Sequence, residues 1–165
     1  MANTRILTCS KLLAEKELTI AFAESATAGW LCSEFALAPE SGKVLKGAIV
    51  CYDALLKETI LGVPKSLVDK FTPESEEVTR QMAVGLSKII EADIYLAVTG
   101  LTTPGGSETP EKPVGSIFLN GLFKGQPIAF RHVFSGTCEE VIQRTIVAAA
   151  ELIISTIQRE DEAGI

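Results

Sequence analysis

Histidine is almost absent from this chain, and paired cysteines are absent altogether. The 165 residues include one histidine, His132, and four cysteines, none of them in a Cys-x-x-Cys pair. A structural zinc site needs closely spaced Cys or His ligands, so we expect neither a metal nor another cofactor. The cysteines are expected to be small, mostly buried residues in a reducing compartment. They are Cys9, Cys32, Cys51 and Cys138.

The chain also lacks an excess of basic residues and any long apolar run. It has 15 Lys and Arg against 21 Asp and Glu, a net charge of −6, so no basic stripe is available to displace phosphate counterions from a nucleic acid. Residues 1–17 mix Lys, Arg and Glu with apolar residues, unlike a signal peptide or a membrane span. We therefore expect a cytoplasmic protein whose partners include neither nucleic acid nor membrane.

What the sequence does contain is an alternation of amphipathic segments and short apolar runs. Its 47% apolar and 22% charged residues suit one buried core, so we expect a single domain over residues 1–165, with its core at about 5–158. Helices are predicted at 4–16, from 30, around 57, at 74–92 and from 138, and strands at 18–23, 44–52, 94–99, 114–119 and 127–134. Thr137 and Glu140 form a capping-box pattern, and Asn120-Gly121 and Lys124-Gly125 are expected to join the last two strands. This order predicts a single three-layer α/β/α domain with a mixed, mostly parallel sheet.

Ser25 is the first candidate for chemistry, because it lies where a strand passes into a helix. A hydroxyl at this point faces the free N–H groups of Ala26, Thr27 and Ala28, which are suited to binding an oxyanion. The spacing alone, however, favours a simpler interpretation, in which Ser25 or Thr27 is the N-cap of the following helix.

A nucleophilic serine also needs a base. His132 alternates with two phenylalanines on its predicted strand, which indicates a packed core histidine and not a member of a catalytic triad. Tyr52 ends the second strand and Lys57 follows one helical turn later, so both are placed to reach the edge of the sheet near Ser25. A partly desolvated lysine loses basicity and is able to take the serine proton, although spacing alone favours an ordinary surface lysine. Glu24 is a candidate to hold Lys57 or the substrate, or else a surface partner.

Residues 101–113 form a long aperiodic stretch after the third strand, where ligands of α/β domains commonly bind. Thr99-Gly100 ends that strand, and Gly105-Gly106 lies within the loop. Glycines there allow backbone N–H groups to approach a phosphate or a ribose, but turns alone also require such residues.

Taken together, these residues resemble the C-terminal domain family of the competence-damage-inducible protein CinA, which is also the nicotinamide-nucleotide amidase family. The similarity runs from about residue 5 to 158, and its most specific part is the segment Thr109-Pro110-Glu111-Lys112-Pro113-Val114-Gly115. The other matching positions, in order, are Glu24, Ser25, Thr27, Gly29, Gly47, Tyr52, Lys57, Leu61-Gly62-Val63 and Val98-Thr99-Gly100. The chain resembles the stand-alone form of the family, without the molybdopterin-type domain that some members carry.

The resemblance implies hydrolysis of nicotinamide mononucleotide to nicotinate mononucleotide and ammonia in pyridine-nucleotide salvage. It implies Ser25 as nucleophile, Lys57 as general base and Tyr52 as an assistant in proton transfer. The nucleotide is expected to contact Glu24, Thr27, Gly29, Thr99, Gly100, Gly105 and Gly106. We also expect a homo-oligomer, because acyl-transfer sites in small domains often border a subunit interface.

The chain departs from the family pattern at three informative positions. Ala26 and Ala28 replace the Cys and first Gly of the family's Glu-Ser-Cys-Thr-Gly-Gly, and Cys138 stands where the family has an arginine after Phe-Ser-Gly-Asp. In the family that arginine is the expected phosphate partner, and an arginine–phosphate pair is typically worth about 1.5–3 kcal/mol. The departures leave two alternatives, an amidase for a non-phosphorylated amide and an inactive paralogue that binds a ligand or a protein.

Overall fold

The structure, a computed structural model, describes residues 3–164. Its helices are α1 (Thr4–Glu15), α2 (Trp30–Ala36), α3 (Ser41–Val44), α4 (Ala54–Thr59), α5 (Lys65–Phe71), α6 (Glu76–Ser87) and α7 (Cys138–Ala163), and its strands are β1 (Ile20–Glu24), β2 (Leu45–Val50), β3 (Ile94–Gly100), β4 (Ser116–Phe123) and β5 (Gln126–Val133). No helix within this part of the chain is both long and apolar enough to cross a lipid bilayer.

One five-stranded sheet organises the domain, with the strand order β2-β1-β3-β4-β5. β1 pairs in parallel with β2 and with β3, whereas β4 is antiparallel to β3 and β5 is antiparallel to β4. The C-terminal ends of β1, β2 and β3 therefore meet the start of β4 at one edge of the sheet. We call this the site edge, because the candidate residues lie there.

Helices cover both faces of the sheet and enclose two apolar cores, which confirms the predicted three-layer α/β/α domain with its mixed sheet. On one face, α1, α2 and α7 pack over Phe22 and its neighbours, and the Phe22 ring lies 5.0 Å from that of Phe35 in α2. On the other face, α5 and α6 pack against Ala21 and Ala23. This division follows from β1 itself, since consecutive strand residues face opposite sides of a sheet.

Three details of the structure differ from the pattern-based prediction. Asn120-Gly121 lies inside β4 and not in a turn, because Gly121 has no Cβ to collide with the Tyr95 carbonyl of β3. Only Lys124-Gly125 makes the turn, with both residues at positive φ. The helix predicted at 74–92 is the shorter α6, which begins after its N-cap Ser75. The sequence pattern predicts neither of the short helices α3 and α5.

Candidate active site

Ser25 lies at the site edge, directly after the last residue of β1. Its backbone N–H donates to the Val98 carbonyl of β3 over 3.0 Å, which fixes the residue beside the middle of the sheet. The side chain is buried, with 7% of the residue exposed.

Lys57 contacts the Ser25 hydroxyl directly. Its Nζ lies 3.0 Å from Ser25 Oγ and donates to the Cys51 carbonyl over 3.2 Å. Lys57 is only 1% exposed, although it belongs to a short helix near the surface. The interpretation of Lys57 as a solvent-exposed lysine is therefore wrong, and the serine and the lysine meet as the positions of their elements predict.

The protonation of Lys57 is set by its burial. Removal from water lowers the pKa of the Lys57 ammonium, and the negative charges of Glu74 and Asp53 raise this pKa by a smaller amount. Desolvation therefore favours the neutral amine, the form that is able to accept a proton from Ser25.

Glu24 lies neither at the surface nor beside Lys57, two of the three positions that its sequence context suggested. The carboxylate is fully buried and accepts hydrogen bonds from the turn and the first residues of α2. The donors are Thr27 Oγ1 at 2.6 Å and the N–H groups of Gly29, Leu31 and Cys32 at 2.9, 3.1 and 2.8 Å. Glu24 is thus neither a surface residue nor a partner of Lys57, and it fixes the turn that carries Ser25.

The N-cap interpretation of Ser25 is wrong, because α2 begins five residues later. Its N-cap residue is Gly29, at φ +94°, and the buried Glu24 carboxylate accepts the N–H groups that a serine cap would have taken. The Ser25 hydroxyl is consequently free to pair with Lys57.

Two N–H groups beside Ser25 remain available for an oxyanion. The N–H of Ala28 donates to the Ser25 carbonyl over 3.0 Å and is no longer free. Those of Ala26 and Thr27 donate to no acceptor within residues 3–164. Adjacent backbone N–H groups next to a nucleophile are a common form of oxyanion hole.

Tyr52 lies close to the pair in sequence but does not contact it. The residue is 63% exposed, and its hydroxyl makes no hydrogen bond to Ser25, Lys57 or any other group in the described part of the chain. The structure therefore brings Ser25 and Lys57 together and leaves Tyr52 at the surface beside them.

Thr99 and Gly100 are part of the packing at the end of β3. Thr79 donates to the Ser75 carbonyl, so the hydrogen bond of 2.8 Å between the Thr79 and Thr99 hydroxyls has Thr99 as its donor. A Cβ at Gly100 would collide with Ser116 and Ile117 of β4. Thr99 is thus buried and bonded to α6, whereas Gly100 is half-buried and packs against β4.

The two glycine N–H groups of the long loop bind a carboxylate from the same loop, that of Glu108. The N–H groups of Gly105 and Gly106 donate to Glu108 over 2.7 and 2.8 Å. These backbone hydrogen bonds hold the pKa of Glu108 below its usual value. The expected anion-binding geometry is therefore present, with a side chain of the loop in it. Sequence reasoning missed Glu108, although an acidic residue so soon after Gly-Gly was a signal.

His132 lies on the edge strand β5 and is exposed, so its interpretation as a core histidine is wrong. It does share a strand face with Phe130 and Phe134, whose ring centroids lie 6.1 and 4.6 Å from its own. β5 has a neighbour on one side only, which explains the exposure. Trp30 and these three rings line a cleft of about 850 Å³, and neither Ser25 nor Lys57 is among its lining residues.

Comparisons with known proteins agree with this architecture. The family model described as the CinA C-terminal domain matches residues 3–157. A CinA-like protein of Thermotoga neapolitana is 38% identical over 141 residues, which cover 86% of this chain and 34% of the relative. The chain therefore spans about a third of the length of this curated relative.

Solved structures of similar length resemble the whole domain. The competence damage-inducible protein A of Klebsiella pneumoniae has a TM-score of 0.87 at 26% identity, with 94% of this chain and 98% of that chain covered. A CinA superfamily protein of Escherichia coli has a TM-score of 0.85 at 28% identity, with 93% and 92% covered.

Ala28 strains the turn that carries Ser25. It has φ +49°, in the left-handed region, and its side chain is exposed. Side chains other than glycine adopt this conformation at a cost of roughly 1–2 kcal/mol, and no buried contact of the Ala28 methyl offsets it.

We expect Ala28→Gly to increase the free energy of unfolding by about 0.5–1 kcal/mol, since relief of this strain exceeds the added entropy of an unfolded glycine. Urea denaturation followed by circular dichroism measures the change. Ala26→Gly is the matched control in the same turn, and it should destabilise, because Ala26 is buried and has no positive φ. Equal effects of the two changes would show that the turn is not strained at Ala28.

Proposed function

Because this chain belongs to the CinA C-terminal domain family, we propose that it is an amidohydrolase that converts nicotinamide mononucleotide to nicotinate mononucleotide and ammonia. The observation that carries the proposal is the buried contact between Lys57 Nζ and Ser25 Oγ at 3.0 Å. A buried lysine that contacts a serine hydroxyl is a rare arrangement, and it matches the Ser-Lys form of nucleophilic catalysis.

The first half of the reaction forms an acyl-enzyme. Ser25 Oγ attacks the carboxamide carbon while Lys57 Nζ takes the hydroxyl proton. The negative oxygen of the tetrahedral intermediate accepts hydrogen bonds from the N–H groups of Ala26 and Thr27. Lys57 then gives its proton to the departing nitrogen, the C–N bond breaks and ammonia leaves.

The second half returns the enzyme to its starting state. Water attacks the ester carbonyl and gives a proton to Lys57, which passes it to Ser25 Oγ as the C–O bond to the enzyme breaks. The carboxylic acid formed releases the second proton of the water to solvent and leaves as a carboxylate, and no net oxidation or reduction takes place. The same two side chains thus serve both halves of the reaction.

In this proposal Tyr52 acts at the solvent-exposed rim of the Ser25–Lys57 site. Its exposed ring is positioned to cover a bound substrate, where its hydroxyl assists proton transfer once water is displaced. The nucleotide then extends towards the long loop, whose Gly105 and Gly106 N–H groups already bind a carboxylate. These roles of Tyr52 and of the loop glycines are those that the family resemblance implies.

One observation favours a second candidate, a catalytically inactive ligand-binding domain. Cys138 is exposed at the first position of α7, where the family's arginine would have met a phosphate. Incubation of the purified protein with nicotinamide mononucleotide separates the two, since the amidase releases ammonia and the binding domain does not. Turnover of nicotinamide riboside but not of the mononucleotide would indicate an amidase for a non-phosphorylated substrate.

We expect Ser25→Ala and Lys57→Met each to lower kcat by about 10³-fold or more, and the double variant to be hardly slower than Ser25→Ala alone, because a nucleophile and its base act as a unit. Methionine keeps most of the apolar stem of Lys57 in the core. Ammonia release in a coupled assay measures the rates, and circular dichroism checks that each variant is folded. Full activity of Ser25→Ala would contradict the proposed nucleophile.

We expect Glu74→Gln to move the rising limb of the pH profile of kcat/KM to lower pH. Activity rises as Lys57 loses its proton, and the Glu74 carboxylate raises the pKa of Lys57, so removal of that charge lowers this pKa. The matched control is Glu76→Gln, a neighbouring exposed carboxylate that pairs with Arg80. The proposal is contradicted by an unmoved limb, or by one that moves to higher pH.

A further inference from the structure

The loop at residues 101–113, here called the site loop, is fixed at both of its ends. The Leu101 N–H donates to the Ser116 carbonyl over 2.9 Å, and the Gly115 N–H donates to the Leu101 carbonyl over 2.6 Å. Between these points the loop contacts the segment that precedes α6.

Lys112 contributes to that contact. Its Nζ donates to Thr72 Oγ1 over 2.5 Å, to the Glu74 carbonyl over 2.9 Å and to Ser107 Oγ over 2.9 Å. All three N–H donors of the ammonium group are therefore used, two towards the segment before α6 and one within the loop. A surface lysine seldom has three fixed partners, since it loses rotational freedom by holding them.

A third hydrogen bond crosses between the same two segments. Ser107 Oγ donates to Glu74 Oε2 over 2.6 Å, so two residues of the loop are bonded to the segment at 72–75. Glu74 is also the carboxylate with the largest electrostatic influence on Lys57.

The same segment leads back to the nucleophile. Ser75 caps α6, and the Thr79 hydroxyl of that helix meets Thr99 at the end of β3. One residue earlier in β3, the Val98 carbonyl accepts the Ser25 N–H. The cluster of Thr72, Glu74, Ser107 and Lys112 is thus connected to Ser25 through α6 and β3.

We propose that Lys112 is a positioning residue for the Ser25–Lys57 site, because it holds the site loop and Glu74 in place through Thr72 and Ser107. This inference rests on the proposed amidase function for its effect on substrate. Its structural half, that Lys112 immobilises the site loop, is testable without any turnover.

The first test is amide hydrogen exchange of the substrate-free protein. In Lys112→Met, the loop N–H groups of Gly105, Gly106, Thr109 and Lys112 should exchange about tenfold faster, because a charged clamp is lost, whereas the β4 amides should not change. Lys124→Met is the matched control, since the Lys124 ammonium also has a fixed partner, the Glu160 carboxylate, but lies in the turn between β4 and β5. Unchanged loop exchange in Lys112→Met would overturn the proposal.

A second, smaller substitution tests the same claim if Lys112→Met does not fold. Ser107→Ala removes one acceptor of Lys112 and the bond to Glu74, so it should accelerate exchange of the same amides by a smaller factor. If Ser107→Ala leaves their exchange unchanged, the proposal is overturned as well.

The second test uses ammonia release from nicotinamide mononucleotide. Lys112→Met should raise KM about tenfold with kcat within about twofold of wild type, because the Ser25–Lys57 contact is untouched while the loop that receives substrate is loosened. A lysine that merely stabilises the fold would leave KM unchanged, and that result would overturn the positioning role. If the wild type releases no ammonia, the proposed function fails, and the exchange experiment still decides whether Lys112 holds the loop.

Discussion

The site of this protein depends on one contact, in which a lysine amine is held in a dry environment against a serine hydroxyl. Lys57 is 1% exposed, and among residues 3–164 its Nζ has only Ser25 Oγ and the Cys51 carbonyl as partners. Burial of an ammonium group without a paired carboxylate is costly, so the amine is driven towards its neutral form. The same desolvation that destabilises the charged lysine makes it suitable as a base.

The surrounding structure serves to keep that contact in place. β1 and β2 are neighbours in the sheet, so the serine after β1 and the lysine in the helix after β2 meet at the same edge. Glu24 binds the turn and the start of α2, which leaves the Ser25 hydroxyl free to pair with Lys57. Lys112 ties the long loop to the segment before α6, which contains Glu74.

Much of this arrangement was predictable from sequence where it depends on local patterns, and less so where it depends on contacts between distant parts of the chain. The capping box of Thr137 and Glu140, the alternation of buried strands with helices, and the meeting of Ser25 with Lys57 follow from local patterns and from where strand ends lie in an α/β sheet. Asn120-Gly121, His132 and the two glycines of the loop were harder. Gly121 lies in a central strand because a neighbouring carbonyl approaches it closely, and His132 is exposed because its strand is at the edge of the sheet. The N–H groups of Gly105 and Gly106 bind Glu108, a side chain of the same loop. Each of these outcomes depends on neighbours in the folded structure.

The central claim is that Ser25 attacks the carboxamide with Lys57 as its base, and a covalent intermediate tests it most directly. The protein is mixed in excess with nicotinamide mononucleotide, quenched in acid after milliseconds to seconds, and digested for mass spectrometry. The account predicts an acyl group on the peptide that contains Ser25, formed together with the first equivalent of ammonia and absent from Ser25→Ala. Release of ammonia with that peptide unmodified at every time point would contradict it.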